Sequence, residues 1–248
     1  MTPEERFLFD LQGFLVIKNV LTPAVVAELN AIADEKFARA PGVTGAQRAR
    51  PTSWAQPFVD LMDHPKTLPY LIELIGDQFR LDHDYCIFMR ERDPGMGLHG
   101  GEGHEGDHWY RYRDGRMLNG LCVLTFLLTP AGPGDGGFIC IPGTHKSNFI
   151  SSIPRDVLTQ ERPAPYVVQP VADAGDALFF TEAVVHGTRT WSGKHERRAL
   201  LYKYSPGYSA WSQNYYRVDQ FEQLTDQQKR ILAPPCVGNR QDVVQPAG

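Results

Sequence analysis

The spacing of hydrophobic positions changes part of the way along this chain of 248 residues. In the first third, apolar residues such as Val25, Leu29 and Ile32 recur at helical spacing. Thr22 and Pro23 precede this run, and they form a typical helix start, with a threonine N-cap followed by proline. We therefore predict three helices and one short strand, in the order helix 3–10, strand 14–17, helix 22–40 and helix 66–75.

From residue 79 onward, short runs of β-branched and aromatic residues alternate with turns rich in Gly, Pro and Asp. Regular short strands of this kind are typical of a sandwich or a jelly roll. The expected fold is therefore mainly β, a double-stranded β-helix (jelly roll, cupin-like) with N-terminal α-helices packed on the sheet. The predicted strands are 79–90, 117–128, 137–141, 165–172, 176–181, 183–190 and 197–205.

The length of the chain suits one domain, since all-β folds of this size are often single units. We expect a helical N-terminal part at 1–78, a jelly-roll core at 79–205 and a C-terminal extension at 206–248. The extension begins with aromatic and polar residues and turns helical around 225–232. No shift in composition marks a boundary between two domains.

Charge and cysteine content exclude several classes of function. The net charge is −4 and no basic block occurs, which argues against nucleic acid as a partner. No apolar run approaches the roughly 20 residues of a membrane span, and no signal-peptide pattern begins the chain. The four cysteines lack regular spacing, which favours reduced thiols in a cytoplasmic protein over disulfides or zinc. A small molecule is the expected partner, and the oligomeric state stays open.

His186 and Arg197 form the most informative pair, because they end and begin two neighbouring predicted strands. In a jelly roll this spacing sets an imidazole and a guanidinium at opposite ends of one small cavity. Imidazole suits iron, and a guanidinium fork suits a carboxylate held by two hydrogen bonds. A keto diacid that chelates a metal could span the two, with a hydrogen bond from Thr188. On this spacing alone, a buried ion-paired arginine and a structural histidine are an equally good interpretation.

Three segments together resemble the phytanoyl-CoA dioxygenase family. The opening Gly13-Phe14-Leu15-Val16-Ile17, followed by Leu21-Thr22-Pro23, matches the family's first motif. The run from Gly136 to Lys146, which contains Ile141-Pro142-Gly143-Thr144-His145, matches its second motif. Gly175-Asp176 leading to His186-Gly187-Thr188 matches its third. The matches run in the family's order over about residues 7–205.

The resemblance implies an iron(II) enzyme that uses 2-oxoglutarate as cosubstrate. The family holds iron through an H-x-D pair and a distant histidine, and it anchors 2-oxoglutarate through an arginine. Carried over by motif, the first histidine is His99, the distant histidine is His186 and the arginine is Arg197, with Arg198 as runner-up. Thr188 and Thr125 are further candidates for the 2-oxoglutarate pocket.

The sequence departs from the family at the third iron ligand, because Gly101 stands where H-x-D requires aspartate. One explanation is that an acid of the following loop substitutes, and the candidates are Glu102, Glu105 and Asp107. A second is an open position that chloride occupies, as in iron halogenases. A third is weak metal binding or none. Most residues of the loop 102–114 are expected to form a solvated lid.

Three further residues are candidates for contact with substrate. Glu182 lies four residues before His186, so in an extended segment both share a face, and Glu182 could serve as a substrate anchor or an unusual ligand. A surface glutamate is an equally good interpretation. Tyr85 on a strand and Tyr110 in the loop could line the site, although aromatic residues at such positions are often packing.

The leading hypothesis is an iron(II)- and 2-oxoglutarate-dependent oxygenase that hydroxylates a small organic substrate. An H-x-G type halogenase is the alternative within the same chemistry. The alternative of another class is a catalytically silent jelly-roll binding module, which the missing aspartate favours. The retained His186, Thr188 and Arg197 argue against it, because a binding module has no evident need for that trio.

Overall fold

The computed structural model of the protein describes residues 1–37, 47–104, 106–213 and 215–245. The helices are α1 (Pro3–Gln12), α2 (Pro23–Lys36), α3 (Gln56–Val59), α4 (Leu68–Ile75), α5 (Arg155–Leu158) and α6 (Asp226–Leu232). The strands are β1 (Phe14–Ile17), β2 (Arg80–Met89), β3 (Met96–His99), β4 (Tyr110–Arg113), β5 (Arg116–Asn119), β6 (Cys122–Leu127), β7 (Gly137–Ile141), β8 (Ala177–Thr181), β9 (Val185–Arg189) and β10 (Arg197–Ser205).

Local capping explains where the N-terminal helices begin and end. Thr2 and Glu5 form a reciprocal capping box at the start of α1, and Gly13 ends the helix in the left-handed region at φ 81°. The chain then enters β1, so the first predicted helix and strand are confirmed. Thr22 caps α2 as predicted, and its side chain accepts a hydrogen bond from the Val25 amide. The predicted end of this helix near residue 40 lies outside the described residues.

The strands form two main antiparallel sheets that face each other. The larger sheet has the order β1-β8-β6-β10-β2, and the smaller has the order β3-β9-β7. A separate hairpin joins β4 to β5. The N-terminal strand β1 pairs with β8 and thereby ties the helical part of the chain to the jelly roll. The predicted mainly β jelly-roll class is confirmed.

The structure differs from the predicted strands at three places. The segment 165–172 forms no strand, and it contributes single bridges at Val168 and Ala172. The predicted strand 117–128 divides into β5 and β6, because Leu121 turns its amide to the carbonyl of Asp107. Strands β3 and β4 were not predicted. Each has only four residues, so an alternating pattern over it is too short to identify a strand.

The two faces of the larger sheet bury different cores. Its outer face packs against the N-terminal helices, where Phe9, Leu29, Phe58 and Leu71 are fully buried. This confirms the expected packing of those helices on the sheet. Its inner face looks toward the smaller sheet and carries a second cluster that includes Leu178. The inner face forms the interior of the jelly roll, where the candidate site lies.

The cysteines are consistent with the reduced state expected from the sequence. Cys86, Cys122 and Cys140 are buried free thiols, and Cys236 is an exposed one. Within the described ranges, no helix is long and apolar enough to cross a membrane.

Candidate active site

Two histidines meet at the mouth of the jelly roll, where β3 runs antiparallel to β9. His99 stands directly opposite His186 in the register of these strands. The centres of the two imidazole rings are 4.5 Å apart. The pairing explains why residues 87 positions apart in the chain lie at one place.

Backbone carbonyls fix the orientation of both imidazoles. Nδ1 of His99 lies 2.9 Å from the carbonyl oxygen of Gly97, and Nδ1 of His186 lies 2.9 Å from that of Val184. An Nδ1–H that donates to a carbonyl leaves Nε2 as the lone-pair nitrogen, which is the usual arrangement of a metal-binding histidine. Burial lowers the pKa of His186 to about 4, so its ring is neutral near pH 7.

Glu182 lies beside this pair, immediately after β8. Its carbonyl accepts a hydrogen bond from the amide of Gly101, at 3.4 Å, so its backbone adjoins the His99 segment. Its Oε2 lies 3.5 Å from Nε2 of His186 and 3.8 Å from Nε2 of His108. Its Oε1 lies 2.6 Å from the ammonium of Lys203. Glu182 therefore belongs to the interior, and the surface interpretation of this residue is wrong.

Lys203 keeps the buried carboxylate charged. Burial alone would raise the pKa of Glu182, but the nearby charges of Lys203 and the imidazoles outweigh it and lower the pKa to about 2. Burial pulls the pKa of Lys203 down, and the Glu182 charge overcomes this and raises it. A carboxylate and a neutral imidazole are the forms that bind metal ions.

The three loop acids proposed as substitute ligands have different surroundings. Glu102 turns away from the histidines, since its oxygens accept hydrogen bonds from the Tyr110 amide and from Arg111. Asp107 is buried with Oδ2 unpaired among the described residues, and burial with the charges of Asp82 and Glu182 raises its pKa to about 6. Glu105 lies outside the described residues.

The glycines after His99 admit a close approach of Glu182. A Cβ on Gly100 would lie 2.9 Å from the Glu182 carbonyl oxygen and 3.1 Å from Nδ1 of His186. Gly101 has φ 102°, and a Cβ there would lie 2.8 Å from the Ile150 side chain. A side chain at position 101 would therefore point toward the apolar cluster outside the smaller sheet, and the backbone would be strained.

The residues present fit an iron ion by the chemistry of their donors. Two imidazoles are fixed side by side, and a buried carboxylate lies next to one of them. Nitrogen and oxygen donors of this type suit iron(II) with open positions for other ligands. As the described side chains stand, no three His, Cys, Asp or Glu groups are close enough together to hold an ion. Two donors are in place, and the third requires a side chain to turn.

Arg197 lies on the inner face at the start of β10. It is buried, and its Nη1 donates to Sδ of Met89 at 3.5 Å. No carboxylate among the described residues pairs with it, and burial lowers its pKa to about 10. A Cβ on Gly137 would lie 2.8 Å from Nε of Arg197, so the glycine leaves room for the guanidinium.

Arg198 points the opposite way, as neighbours on a strand do. Its guanidinium donates to Asp34, Glu196 and Asn30 on the outer side of the sheet, and it lies over the ring of Phe88. The two arginines between which the sequence could not decide are therefore in different environments. Only Arg197 faces the interior.

The remaining candidates divide into two groups. Thr125, Thr188 and Tyr85 stand on the inner sides of the sheets, and Thr125 is opposite Leu201 in the register of β10. Tyr110 does not join them. Its hydroxyl donates to Asp10 of α1, and its ring packs edge-on against His145, which places it under the N-terminal helix.

Sequence reasoning missed Lys203, His108 and Trp211. Lys203 follows Arg197 by six residues on one strand, so the alternation of faces could have found it. Trp211 stacks on His83, with ring centres 5.1 Å apart, because Asp82 accepts hydrogen bonds from the amides of Trp211 and Ser212. No periodic signal marks that contact, since it joins a strand to an irregular segment.

Comparisons with solved structures agree with this architecture. HygX from Streptomyces hygroscopicus, with nickel and 2-oxoglutarate bound, has a TM-score of 0.76 and 23% identity over 85% of this chain and 89% of HygX. HygX is also known with hygromycin B bound. AviO1 from Streptomyces viridochromogenes Tue57 has a TM-score of 0.59 and 18% identity over 80% of this chain and 92% of AviO1. At these identities the likeness establishes the fold.

A third neighbour is SnoN, a non-heme alpha-ketoglutarate-dependent epimerase from nogalamycin biosynthesis. It gives a TM-score of 0.61 at 18% identity, over 82% of this chain and 83% of SnoN. No curated protein matches in a sequence comparison. The family model for phytanoyl-CoA dioxygenase matches residues 9–199, which is well over half of the chain. The chain therefore belongs to the phytanoyl-CoA dioxygenase family and is an iron- and 2-oxoglutarate-dependent oxygenase.

Proposed function

We propose that this oxygenase hydroxylates a small polar molecule between its two sheets, with Arg197 as the anchor of 2-oxoglutarate and His99 and His186 as iron ligands. The observation that carries the proposal is the state of Arg197. A buried guanidinium without an acidic partner is costly, so the partner is expected to be an anion that the protein binds. The far carboxylate of 2-oxoglutarate has the right charge and shape for a guanidinium fork.

The protein's contribution at this end is to hold the cosubstrate dry and in one orientation. Gly137 clears the space beside Arg197, and Met89 packs on its other side. Thr125 and Thr188 stand on the inner walls, and their hydroxyls are available as hydrogen-bond donors to the same carboxylate. A desolvated ion pair of this type is stronger than one in water, because the surrounding dielectric constant is low.

At the other end, the carbonyls of Gly97 and Val184 hold the two imidazoles with Nε2 free for the metal. When bound, iron(II) and 2-oxoglutarate supply the chemistry that activates oxygen for insertion into a C–H bond. The rings of Phe180 and Phe138 flank His186, with centres 4.9 and 6.0 Å from its own. Their apolar faces restrict the entry of water to the reacting groups.

The walls near the opening suggest a polar substrate. Tyr85, His83 and Trp211 form a stack, while Asp107 and Lys203 add charges of both signs. Aromatic faces next to hydrogen-bonding groups suit a small molecule with hydroxyl or amino groups. The binding of hygromycin B by HygX supports a substrate of this general size and polarity.

The chloride-dependent alternative has no support at position 101. A side chain there would be directed toward Ile150 and Val185, so its absence opens no space beside the histidines. We therefore propose hydroxylation and not halogenation. A cytoplasmic location is part of the proposal, because free cysteines are typical of a reducing compartment.

The test is the formation of succinate from 2-oxoglutarate. Purified protein is loaded with iron(II) without oxygen, then exposed to oxygen in the presence of a panel of small amines and polyols. We expect succinate in every reaction and a product heavier by one oxygen atom with the true substrate, independent of chloride. Protein that binds iron but neither binds nor consumes 2-oxoglutarate would contradict the proposal, and a chlorinated product would contradict the choice of hydroxylation.

A further inference from the structure

We propose that Glu182 is the third protein ligand of the iron site and replaces the aspartate that the His99 motif lacks. This inference rests on the proposed iron site and names a donor that lies 83 positions further along the chain. The carboxylate would come from the end of β8, beside His186, and not from the loop that follows β3.

The distances fit two donors that share one ion. Two donors bonded to one metal at about 2.1 Å each lie roughly 3.0–3.4 Å apart for angles between square and tetrahedral. Oε2 of Glu182 and Nε2 of His186 are 3.5 Å apart. The separation is too long for a hydrogen bond of ordinary strength and close to that of a ligand pair.

The backbone around Glu182 is built for closeness to both histidines. The Glu182 carbonyl accepts a hydrogen bond from the Gly101 amide, and the Glu182 amide donates one to the Leu121 carbonyl. The Leu121 amide in turn donates to the Asp107 carbonyl. Gly100 lacks the Cβ that would collide with the Glu182 carbonyl and the His186 ring. The absence of a side chain at Gly100 thus allows the residue that follows β8 to approach the two histidines.

The alternatives in the described chain are weaker. A side chain at position 101 points outward, and Glu102 is engaged by Arg111 and the Tyr110 amide. Asp107 is buried nearby, but among the described residues its Oδ2 has no hydrogen-bond partner, so nothing directs it to His99 or His186. Lys203 holds only Oε1 of Glu182, which leaves Oε2 directed at the imidazoles.

The experiment measures metal affinity and not turnover. Cobalt(II) and iron(II) are titrated anaerobically into the full chain against a competing chelator, and the visible spectrum of the cobalt protein reports the donor set. We expect Glu182→Gln to weaken binding by roughly 10- to 100-fold or more and to change the cobalt spectrum. Glu102→Gln is the matched control, since it also removes a carboxylate paired with a cation, and it should bind as the wild type does.

A second variant protects the test against misfolding. Glu182→Gln leaves the ammonium of Lys203 buried without its partner, so Glu182→Gln combined with Lys203→Met removes both charges. We expect the double variant to fold, as judged by circular dichroism, and to show the same loss of metal affinity.

The outcomes separate this inference from the proposed function. If both Glu182 variants bind metal as the wild type does while 2-oxoglutarate is still consumed, Glu182 is no ligand and only this inference fails. A loss of metal affinity in Asp107→Asn, with wild-type affinity in the Glu182 variants, would overturn the inference in favour of Asp107 as the third ligand. Tighter metal binding in Gly101→Asp would overturn it in favour of a vacant position. If the wild type itself binds no iron or cobalt, the proposed function fails together with the inference.

Discussion

The two faces of the five-stranded sheet bury polar groups in different ways. On the outer face, two tyrosines and Asp84 have partners supplied by the fold. The hydroxyls of Tyr202 and Tyr204 donate to the carbonyls of Phe58 and Met62. Asp84 accepts from the amide and hydroxyl of Thr52 and from the hydroxyl of Tyr216. These bonds attach the helical part of the chain to the sheet.

In the interior between the sheets, three charged groups lack such complete pairing. Arg197 has a sulfur atom as its hydrogen-bond acceptor and no carboxylate, and Asp107 has an oxygen without a partner among the described residues. Glu182 pairs with Lys203 through one oxygen only. Unpaired buried groups cost stability, and a bound ligand is one way to satisfy them. The comparison therefore separates residues that hold the fold from residues that we propose bind cofactor and substrate.

The largest expected effect concerns a histidine of the inner face. His186→Ala should lower iron affinity by more than about 100-fold, because even the loss of a group that merely orients a ligand costs 10- to 100-fold. Unfolding in urea should change little. The measurement is metal content after anaerobic loading and desalting. His195→Ala, which alters a histidine outside the site, is the control and should keep its iron. A His186→Ala protein with wild-type iron content would remove this residue from the site.

On the outer face, Asp84→Ala should destabilise the protein without changing metal binding. The variant leaves donors of Thr52 and Tyr216 without their acceptor, and we expect a loss of roughly 2–4 kcal/mol in the free energy of unfolding. Urea unfolding followed by circular dichroism measures this, with iron affinity determined in parallel. Weakened iron binding in a still-folded Asp84→Ala protein would contradict the claim that the outer face contributes to stability and not to the metal site.

A buried histidine away from the site predicts how stability depends on pH. Burial lowers the pKa of His145 to about 4, and Lys146 adds to this while Asp10 and Glu102 oppose it. Below its unfolded pKa the unfolded chain takes up a proton that the folded protein excludes, so stability falls as pH decreases from about 6.5 toward 4. His145→Gln should remove on the order of 2 kcal/mol of the loss between pH 7 and 5. Urea unfolding at both pH values measures it, and an unchanged difference would contradict the assignment.

The smallest effect is expected for a single hydroxyl on the outer face. Tyr202→Phe removes the donor to the Phe58 carbonyl but keeps the ring, so we expect a loss of about 1 kcal/mol. Consumption of 2-oxoglutarate should not change. Thermal unfolding and a succinate assay on the same sample test both statements. Altered turnover with unchanged stability would show that the Tyr202 hydroxyl serves the reaction and not the fold.

Much of this architecture follows from local rules that the sequence displays. The capping residues Thr2 and Thr22 and the apolar runs of β8 and β10 mark elements that local chemistry alone defines. The family motifs led to His99, His186 and Arg197. The structure brings the two histidines together and directs Arg197 inward.

The rest depends on contacts between distant segments, which no local pattern encodes. The place of Glu182 follows from its neighbours Leu121 and Gly101, so the sequence could not separate an interior carboxylate from a surface one. Tyr110 lies in a segment expected to form a lid, yet Asp10 of α1 binds its hydroxyl. Trp211 reaches the opening only because Asp82 holds the chain after β10.

Arg197 is the residue proposed to bind the cosubstrate, and its neighbour Arg198 is a control of the same residue type on the opposite face. The measurement is 2-oxoglutarate affinity of the anaerobic iron(II) protein, by titration of the wild type, Arg197→Leu and Arg198→Leu. We predict a loss of roughly 100-fold or more in Arg197→Leu with the fold intact, because a desolvated ion pair is worth a few kcal/mol. Arg198→Leu should bind as the wild type does. Unchanged affinity in Arg197→Leu, or a loss confined to Arg198→Leu, would contradict the account.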